Sequence, residues 1–101
     1  MTGVQTCALP IYNPTGYLPT PEFQQQLAAL IEEHGLLMFS DEMYFGLVQP
    51  DVAPIPSAAD LTRNAVVLSG LSKTYGLPGL RCGWLIVRDE TLRENIMNWK
   101  F

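Results

Sequence analysis

Two apolar runs of strand length are the clearest pattern in this chain, and polar residues follow both. Positions 36–40 read LLMFS and lead directly to Asp41, while positions 65–69 read AVVLS and lead to Lys73 a few residues later. Runs that are apolar at nearly every position are typical of strands in a parallel sheet with helices on both faces. A third strand is predicted at 82–87, where Gly83 allows close backbone approach and Cys82 is expected to enter as a small buried residue.

Helical patterns alternate with these strands. Thr20 is expected to cap a first helix that Gly35 ends, with His34 in the last turn facing the carbonyl end of the helix rather than serving in catalysis. A short helix is predicted near 57–61, and Asp89 is expected to cap a final one. The predicted apolar faces consist of Phe23, Leu27, Leu30 and Ile31 on the first helix and of Leu92, Ile96 and Trp99 on the last. Together the elements predict an α/β fold with a mostly parallel sheet.

Composition excludes several classes of function. The 101 residues carry a formal net charge of −4, and no basic stripe appears, so we expect neither nucleic acid nor a membrane as a partner. No apolar run approaches the roughly 20 residues of a membrane-spanning helix. The two cysteines, Cys7 and Cys82, form neither a metal spacing nor a disulfide framework, which predicts no metal site and a reducing, cytoplasmic setting.

Residues 1–11 do not follow the pattern of the rest of the chain. They read MTGVQTCALPI, with neither a helical nor an alternating period, and resemble the translation of a sequencing adapter joined to a coding region. We therefore interpret 1–11 as a non-native leader and 12–101 as the part that folds, and we expect it to be an internal piece of a longer chain.

The ends of the two main strands are where chemistry is expected. In open α/β sheets, ligands bind outside the carboxyl ends of the strands. Asp41 supplies a carboxylate at one such end, Lys73 an amine beyond the next, and Arg81 a guanidinium eight residues further on. Each of these residues alone is weak evidence, because a strand-end Asp is often a cap and a surface lysine is usually a solvated charge.

Three stretches taken together resemble a known family. They are residues 13–16 (NPTG), residues 41–44 (DEMY) and residues 72–84 (SKTYGLPGLRCGW). Their order and spacing resemble those of the pyridoxal-phosphate-dependent aminotransferases of class I and II, which have fold type I. The resemblance covers 12–101 and implies part of the large cofactor-binding domain, with the strand after the lysine running antiparallel to the others.

The resemblance implies a catalytic role for one residue and cofactor contacts for several. Lys73 would form a Schiff base with pyridoxal 5′-phosphate and later move protons, since an amine can serve both as nucleophile and as base. Asp41 would keep the ring nitrogen of the cofactor protonated. The Asn13 amide and the Tyr44 phenol would donate to the phenolate oxygen of the ring, and Asn13 would also contact the α-carboxylate of the substrate.

The cofactor phosphate would be held by a guanidinium and hydroxyls. Arg81 offers a planar fork of donors suited to a phosphate, and Ser69 or Ser72 would add hydrogen bonds. Many relatives carry a serine three residues before the lysine, where this chain has Gly70. Which of the two serines contacts the phosphate is therefore open.

The implied function is transfer of an amino group between an amino acid and a 2-oxo acid by a homodimer. Other phosphate ligands, the ring that stacks on the cofactor and the arginine that grips the substrate would lie outside this chain, so we expect the 101 residues alone to be inactive. Two alternatives stay open. One is another fold type I enzyme, such as a lyase, a cyclase or a racemase, and the other is a cofactor-sensing domain of a transcription regulator.

Overall fold

The computed structural model describes residues 5–8, 16–47 and 50–100. In chain order the elements are β1 (Gln5–Ala8), α1 (Pro21–Glu33), β2 (Leu37–Asp41), α2 (Ala58–Leu61), β3 (Ala65–Gly70), a 3₁₀ turn (Pro78–Leu80), β4 (Gly83–Val87) and α3 (Glu90–Lys100). None of the helices in these described residues is long and apolar enough to cross a membrane.

The strands form one mixed sheet in the order β1-β2-β3-β4. β1, β2 and β3 run parallel, with Phe39 opposite Val66, and β4 runs antiparallel to β3, with Val67 opposite Ile86. The predictions of a mostly parallel sheet and of an antiparallel last strand are therefore confirmed. Strand β1, which lies within residues 1–11, was not predicted from the sequence. The pairing of β1 with β2 does not test whether residues 1–11 are native. The interpretation of these residues as a non-native leader therefore stays a prediction.

Helices cover both faces of the sheet, as predicted. Side chains alternate between faces along a strand, so Met38 and Val67 share one face, where they join a buried cluster with Ile31 of α1 and Ala58 of α2. On the opposite face, α3 contacts β4 and borders an apolar cleft. This two-sided packing follows from strands that are apolar at most positions on both faces.

Helix α1 begins and ends as predicted, but its buried face differs. The Thr20 hydroxyl accepts from the Phe23 amide at 3.1 Å, and Gly35 has a φ of 61° just beyond the helix. The buried residues are Gln24, Ala28 and Ile31, with Leu27 packed against the cluster. The predicted inclusion of Phe23 and Leu30 is wrong, since both are about half exposed.

Two further expectations need correction at the last strand and helix. The Asp89 carboxylate caps α3 as predicted, accepting from the Leu92 amide at 2.8 Å. Trp99, however, is 92% exposed, because Ile96 and Met97, rather than Trp99, line the cleft that α3 forms with β4. Cys82 is also exposed rather than buried, because it precedes an edge strand of the described sheet.

β4 presents apolar side chains at this sheet edge. Trp84, Leu85 and Ile86 expose 37%, 46% and 41% of their surface. An edge strand with free backbone groups and apolar side chains is a template for pairing with another chain. We therefore expect the 101-residue chain on its own to self-associate through β4.

Replacing Leu85 with Lys tests this expectation. A charge on an edge strand opposes pairing with a second edge, so the Leu85→Lys variant of the 101-residue chain should show clearly less static light scattering than the unchanged chain at equal concentration. Met97→Lys, which removes a similarly exposed apolar residue from α3, is the matched control and should change scattering less. Equal reductions by the two variants would contradict association through β4.

Candidate functional site

The carboxyl ends of β2 and β3 meet at one edge of the sheet. The register places Asp41, the last residue of β2, opposite Leu68, and Ser69 follows Leu68 in β3. Beyond the ladder, the Glu42 amide donates to the Leu68 carbonyl at 2.8 Å. The segment that starts at Asp41 is thus held against the strand that leads to Lys73.

The antiparallel direction of β4 returns the chain to the same edge. Gly83, the first residue of β4, pairs with Gly70, the last residue of β3. The Leu71 amide donates to the Cys82 carbonyl at 3.1 Å, which closes the intervening loop at its base. Lys73 and Arg81 therefore lie near the two ends of one closed loop.

Internal contacts shape this loop. The Gly76 amide donates to the Lys73 carbonyl at 3.1 Å, and the Leu77 amide donates to the Leu71 carbonyl at 2.9 Å. The Tyr75 and Trp84 rings lie with their centroids 6.5 Å apart, within the range of aromatic pairs. Lys73 itself is exposed, so its amine is accessible at the sheet edge.

Tyr44 lies close to that amine. The Lys73 Nζ atom is 5.9 Å from the centroid of the Tyr44 ring, at the outer limit of a cation–π contact. Tyr44 belongs to a tight turn that begins with an Asp41 oxygen accepting from the Met43 amide at 3.1 Å, an arrangement in which an aspartate side chain imitates a backbone turn. The structure thus brings Lys73 and Tyr44 together, beside the half-buried Asp41.

The two candidate serines lie on either side of a glycine that the backbone of β4 approaches closely. Ser69 and Ser72 are both half-buried. A Cβ atom on Gly70 would lie 3.0 Å from the Cys82 carbonyl oxygen and 3.2 Å from the Gly83 Cα. A serine at position 70 would therefore require the backbone at the start of β4 to shift by a few tenths of an ångström, which favours the glycine.

Arg81 holds a strained backbone conformation. Its φ of 50° and ψ of 41° are left-handed, and among the described residues it is the only non-glycine with a positive φ. Such a conformation costs about 1–2 kcal/mol and is often found where function requires a particular side chain. The guanidinium donates weakly to the Pro78 carbonyl at 3.4 Å and is exposed.

Sequence analysis missed the importance of Glu42 and Thr74. Glu42 is 4% exposed, and its Oε1 atom accepts from the Ala58 amide at 2.8 Å and from the Ser40 hydroxyl at 3.2 Å. It ties the start of α2 to the end of β2. The position of Glu42 directly after a buried strand could have indicated a buried carboxylate, whereas no sequence signal identifies Thr74. The predicted ligand Asn13 lies outside the described residues.

The described edge therefore carries an amine, a carboxylate, a phenol and a guanidinium. These belong to Lys73, Asp41, Tyr44 and Arg81, and the two serine hydroxyls lie in the same segment. Such a set can hold a small planar ligand that has an electrophilic carbon, a basic ring atom and an anionic group.

Comparisons with known proteins show similarity to one family. Residues 8–100 match the model of a family described as aminotransferase class I and II. The chain is 39% identical over 75 residues to the valine–pyruvate aminotransferase of Mycobacterium tuberculosis, covering 74% of this chain and 19% of that protein. It is 33% identical over 78 residues to the glutamate-pyruvate aminotransferase AlaA of Escherichia coli K12, with the same two coverages. The chain thus spans 19% of the length of these curated relatives.

Solved structures share the fold. A PLP-dependent aminotransferase from Streptococcus suis has a TM-score of 0.84 at 26% identity, covering 95% of this chain and 25% of that one. A PLP-bound C-S lyase from Staphylococcus hominis has a TM-score of 0.82 at 21% identity, covering 96% and 25%. The second likeness concerns the fold alone.

The packing at Gly70 generates a prediction for a full-length host. We define the carrier enzyme as the M. tuberculosis aminotransferase in which the region that corresponds to residues 12–100 of this chain is replaced by those residues. In the carrier enzyme, Gly70→Ala should destabilise the cofactor-free protein by about 1–3 kcal/mol, because the new methyl group meets backbone atoms that cannot move aside easily. Thermal unfolding at a fixed scan rate measures the effect.

Gly79→Ala is the matched control for that substitution. A Cβ atom on Gly79 meets nothing within 4 Å, and its φ is not positive, so this variant should unfold at the temperature of the unchanged carrier enzyme or slightly above. Equal unfolding temperatures for Gly70→Ala and Gly79→Ala would contradict the close approach of β3 and β4.

Proposed function

This chain belongs to the aminotransferase class I and II family, and we propose that it is part of an enzyme that transfers an amino group between an amino acid and a 2-oxo acid with pyridoxal 5′-phosphate as cofactor. The observation that carries the proposal is the grouping of Lys73 with Tyr44 beside Asp41 at the carboxyl edge of the sheet. Family membership adds support, because it covers the segment that contains all three residues.

The residues present suit this cofactor chemically. Pyridoxal 5′-phosphate supplies an electron sink, which makes a bond at the α-carbon of a bound amino acid easier to break. An accessible amine suits its aldehyde, a carboxylate suits its ring nitrogen, and a phenol suits its ring oxygen. Arg81 keeps a strained backbone conformation, which supports a functional need for a guanidinium at that position. Binding of a phosphate would be such a need.

Lys73 has two tasks in this proposal. Its amine would hold the cofactor through the aldehyde carbon, and the same Nζ atom, once free, would take the proton from the substrate α-carbon. Asp41 keeps a proton on the ring nitrogen through its negative charge. Tyr44 donates a hydrogen bond to the ring oxygen. This hydrogen bond lowers the proton affinity of the nitrogen that is bound to the aldehyde carbon of the cofactor.

The remaining residues bind and orient. Arg81 holds the phosphate, and the Ser69 or Ser72 hydroxyl adds a hydrogen bond. Asn13 is proposed to contact the ring oxygen and the substrate α-carboxylate. A homodimer in a reducing, cytoplasmic setting is part of the same proposal, as are an amino acid and a 2-oxo acid as the small-molecule substrates.

Covalent trapping in the carrier enzyme tests the proposal. After incubation with pyridoxal 5′-phosphate and reduction with borohydride, mass spectrometry should find the cofactor on Lys73, because that amine is the proposed attachment point. Lys73→Ala should abolish both the trapped peptide and amino-group transfer. Lys100→Ala, which alters the only other lysine of this chain, is the control and should leave both unchanged.

Analysis of the reaction products of the carrier enzyme separates amino-group transfer from lyase chemistry. Transfer produces a new amino acid from the added 2-oxo acid, whereas a lyase releases ammonia without one. Trapping at another residue, or turnover by the Lys73→Ala variant, would overturn the assignment of Lys73.

The strain at Arg81 yields a separate prediction. Arg81→Gly should leave the cofactor-free carrier enzyme as stable as before or stabilise it by up to about 1 kcal/mol, since glycine adopts a positive φ without steric cost. Its affinity for pyridoxal 5′-phosphate should nevertheless fall at least tenfold with loss of the charged hydrogen bonds, which corresponds to about 1.4 kcal/mol or more. Thermal unfolding and equilibrium cofactor titration measure the two effects.

Arg81→Lys is the matched variant. It keeps the positive charge and the strain but loses the forked geometry, so its cofactor affinity should lie between those of arginine and glycine. A lower stability of the Arg81→Gly apoprotein together with unchanged cofactor affinity would show that Arg81 serves the fold instead.

A further inference from the structure

Thr74, the residue after Lys73, is fastened to the turn that carries Tyr44. Its Oγ1 atom lies 2.8 Å from the Phe45 carbonyl oxygen and 3.1 Å from the Met43 carbonyl oxygen. A threonine hydroxyl has one hydrogen to donate, so the two carbonyl groups share it. We call this three-centre contact the Thr74 clasp.

The clasp holds the turn on both sides of Tyr44. The turn itself is closed by the Phe45 amide, which donates to Glu42, and by the Leu47 amide, which donates to Tyr44, each at 3.0 Å. These bonds lie within the turn and do not fix its position relative to the Lys73 loop. The Thr74 hydroxyl joins the two segments, because it donates from the loop to carbonyl groups of the turn.

Packing at the clasp leaves room for threonine. Thr74 is half-buried, and its methyl carbon lies 3.6 Å from the position that a Cβ atom on Gly46 would occupy. That distance is an ordinary van der Waals contact. The Thr74 methyl group thus lies near Gly46 while the hydroxyl donates to the turn, and valine could replace threonine with nearly the same shape.

We propose that Thr74 is a positioning residue that sets the Tyr44 ring against the Lys73 amine. The inference rests on the proposed function, in which Tyr44 donates to the ring oxygen of the cofactor and Lys73 holds its aldehyde carbon. Lys73 and Thr74 are adjacent in the loop. The Lys73 amine lies over the ring of Tyr44, and the Thr74 hydroxyl donates to the backbone on either side of that residue. Loss of the hydroxyl lets the turn move away from the loop, and the phenol then donates less well.

A pH titration of bound cofactor in the carrier enzyme tests the inference. The absorbance band of the bound cofactor changes as the nitrogen bound to its aldehyde carbon loses a proton, and a phenol that donates to the neighbouring oxygen favours that loss. Thr74→Val should therefore raise the midpoint of the change by up to about one pH unit, the size expected for one weakened hydrogen bond. Thr74→Ser, which keeps the hydroxyl, should titrate like the unchanged carrier enzyme.

A double-variant cycle distinguishes positioning from a general structural effect. In a Tyr44→Phe background there is no phenol to position, so adding Thr74→Val should shift the midpoint by little more. A full additional shift in that background would overturn the inference. So would an unchanged midpoint in Thr74→Val, or a shift in Thr74→Ser as large as that in Thr74→Val.

A measurement without cofactor keeps the inference separate from the proposed function. In the cofactor-free carrier enzyme, amide hydrogen exchange at Phe45 and Leu47 should be several-fold faster in Thr74→Val than in Thr74→Ser, because the turn opens more readily without the clasp. Equal exchange would overturn the clasp. If the unchanged carrier enzyme does not hold the cofactor on Lys73, the proposed function is refuted. The hydrogen-exchange comparison would still test the Thr74 clasp in that case.

Discussion

The parallel pairing of β2 with β3 is the constraint on which the candidate site depends. Parallel strands end at the same edge, so the register of Asp41 with Leu68 brings the carboxylate segment beside the segment that leads to Lys73. The Glu42 amide extends that pairing by one hydrogen bond beyond the strand. A slip of one residue would turn every side chain of β2 to the opposite face of the sheet, and it would separate the carboxylate from the amine loop.

Two residues without chemical roles, Glu42 and Thr74, hold the backbone that carries the exposed reactive residues. Lys73 and Arg81 are exposed, whereas Glu42 is buried and Thr74 is half-buried. The buried carboxylate anchors α2, and the threonine hydroxyl joins the loop to the turn. The accessible groups are thus carried by backbone that hydrogen bonds hold in place, which is what precise placement of a reactive group requires.

Local patterns in the sequence predict most of the fold and part of the site. The apolar runs before Asp41 and Lys73 identify β2 and β3, and Thr20 and Asp89 cap helices as expected. The buried side of α1 and the exposure of Trp99 could not be predicted, because both depend on which neighbouring surface the helix meets. Asp41, Tyr44 and Lys73 could be chosen through the family resemblance of their motifs, but hydrogen bonds between distant segments, such as that from Thr74 to Phe45, have no sequence signature.

A crystal structure of the carrier enzyme with bound pyridoxal 5′-phosphate tests the central claim most directly, because that claim is geometric. The parallel pairing of β2 and β3 brings the segments of Asp41 and Lys73 to one edge of the sheet, and we expect the two side chains to contact the same small ring from different sides. The account predicts the cofactor joined to the Lys73 Nζ atom and an Asp41 carboxylate oxygen about 3 Å from its ring nitrogen, the distance of a charged hydrogen bond. This expectation would be contradicted if the side chains of Lys73 and Asp41 lay on opposite faces of the sheet and could not contact one ring.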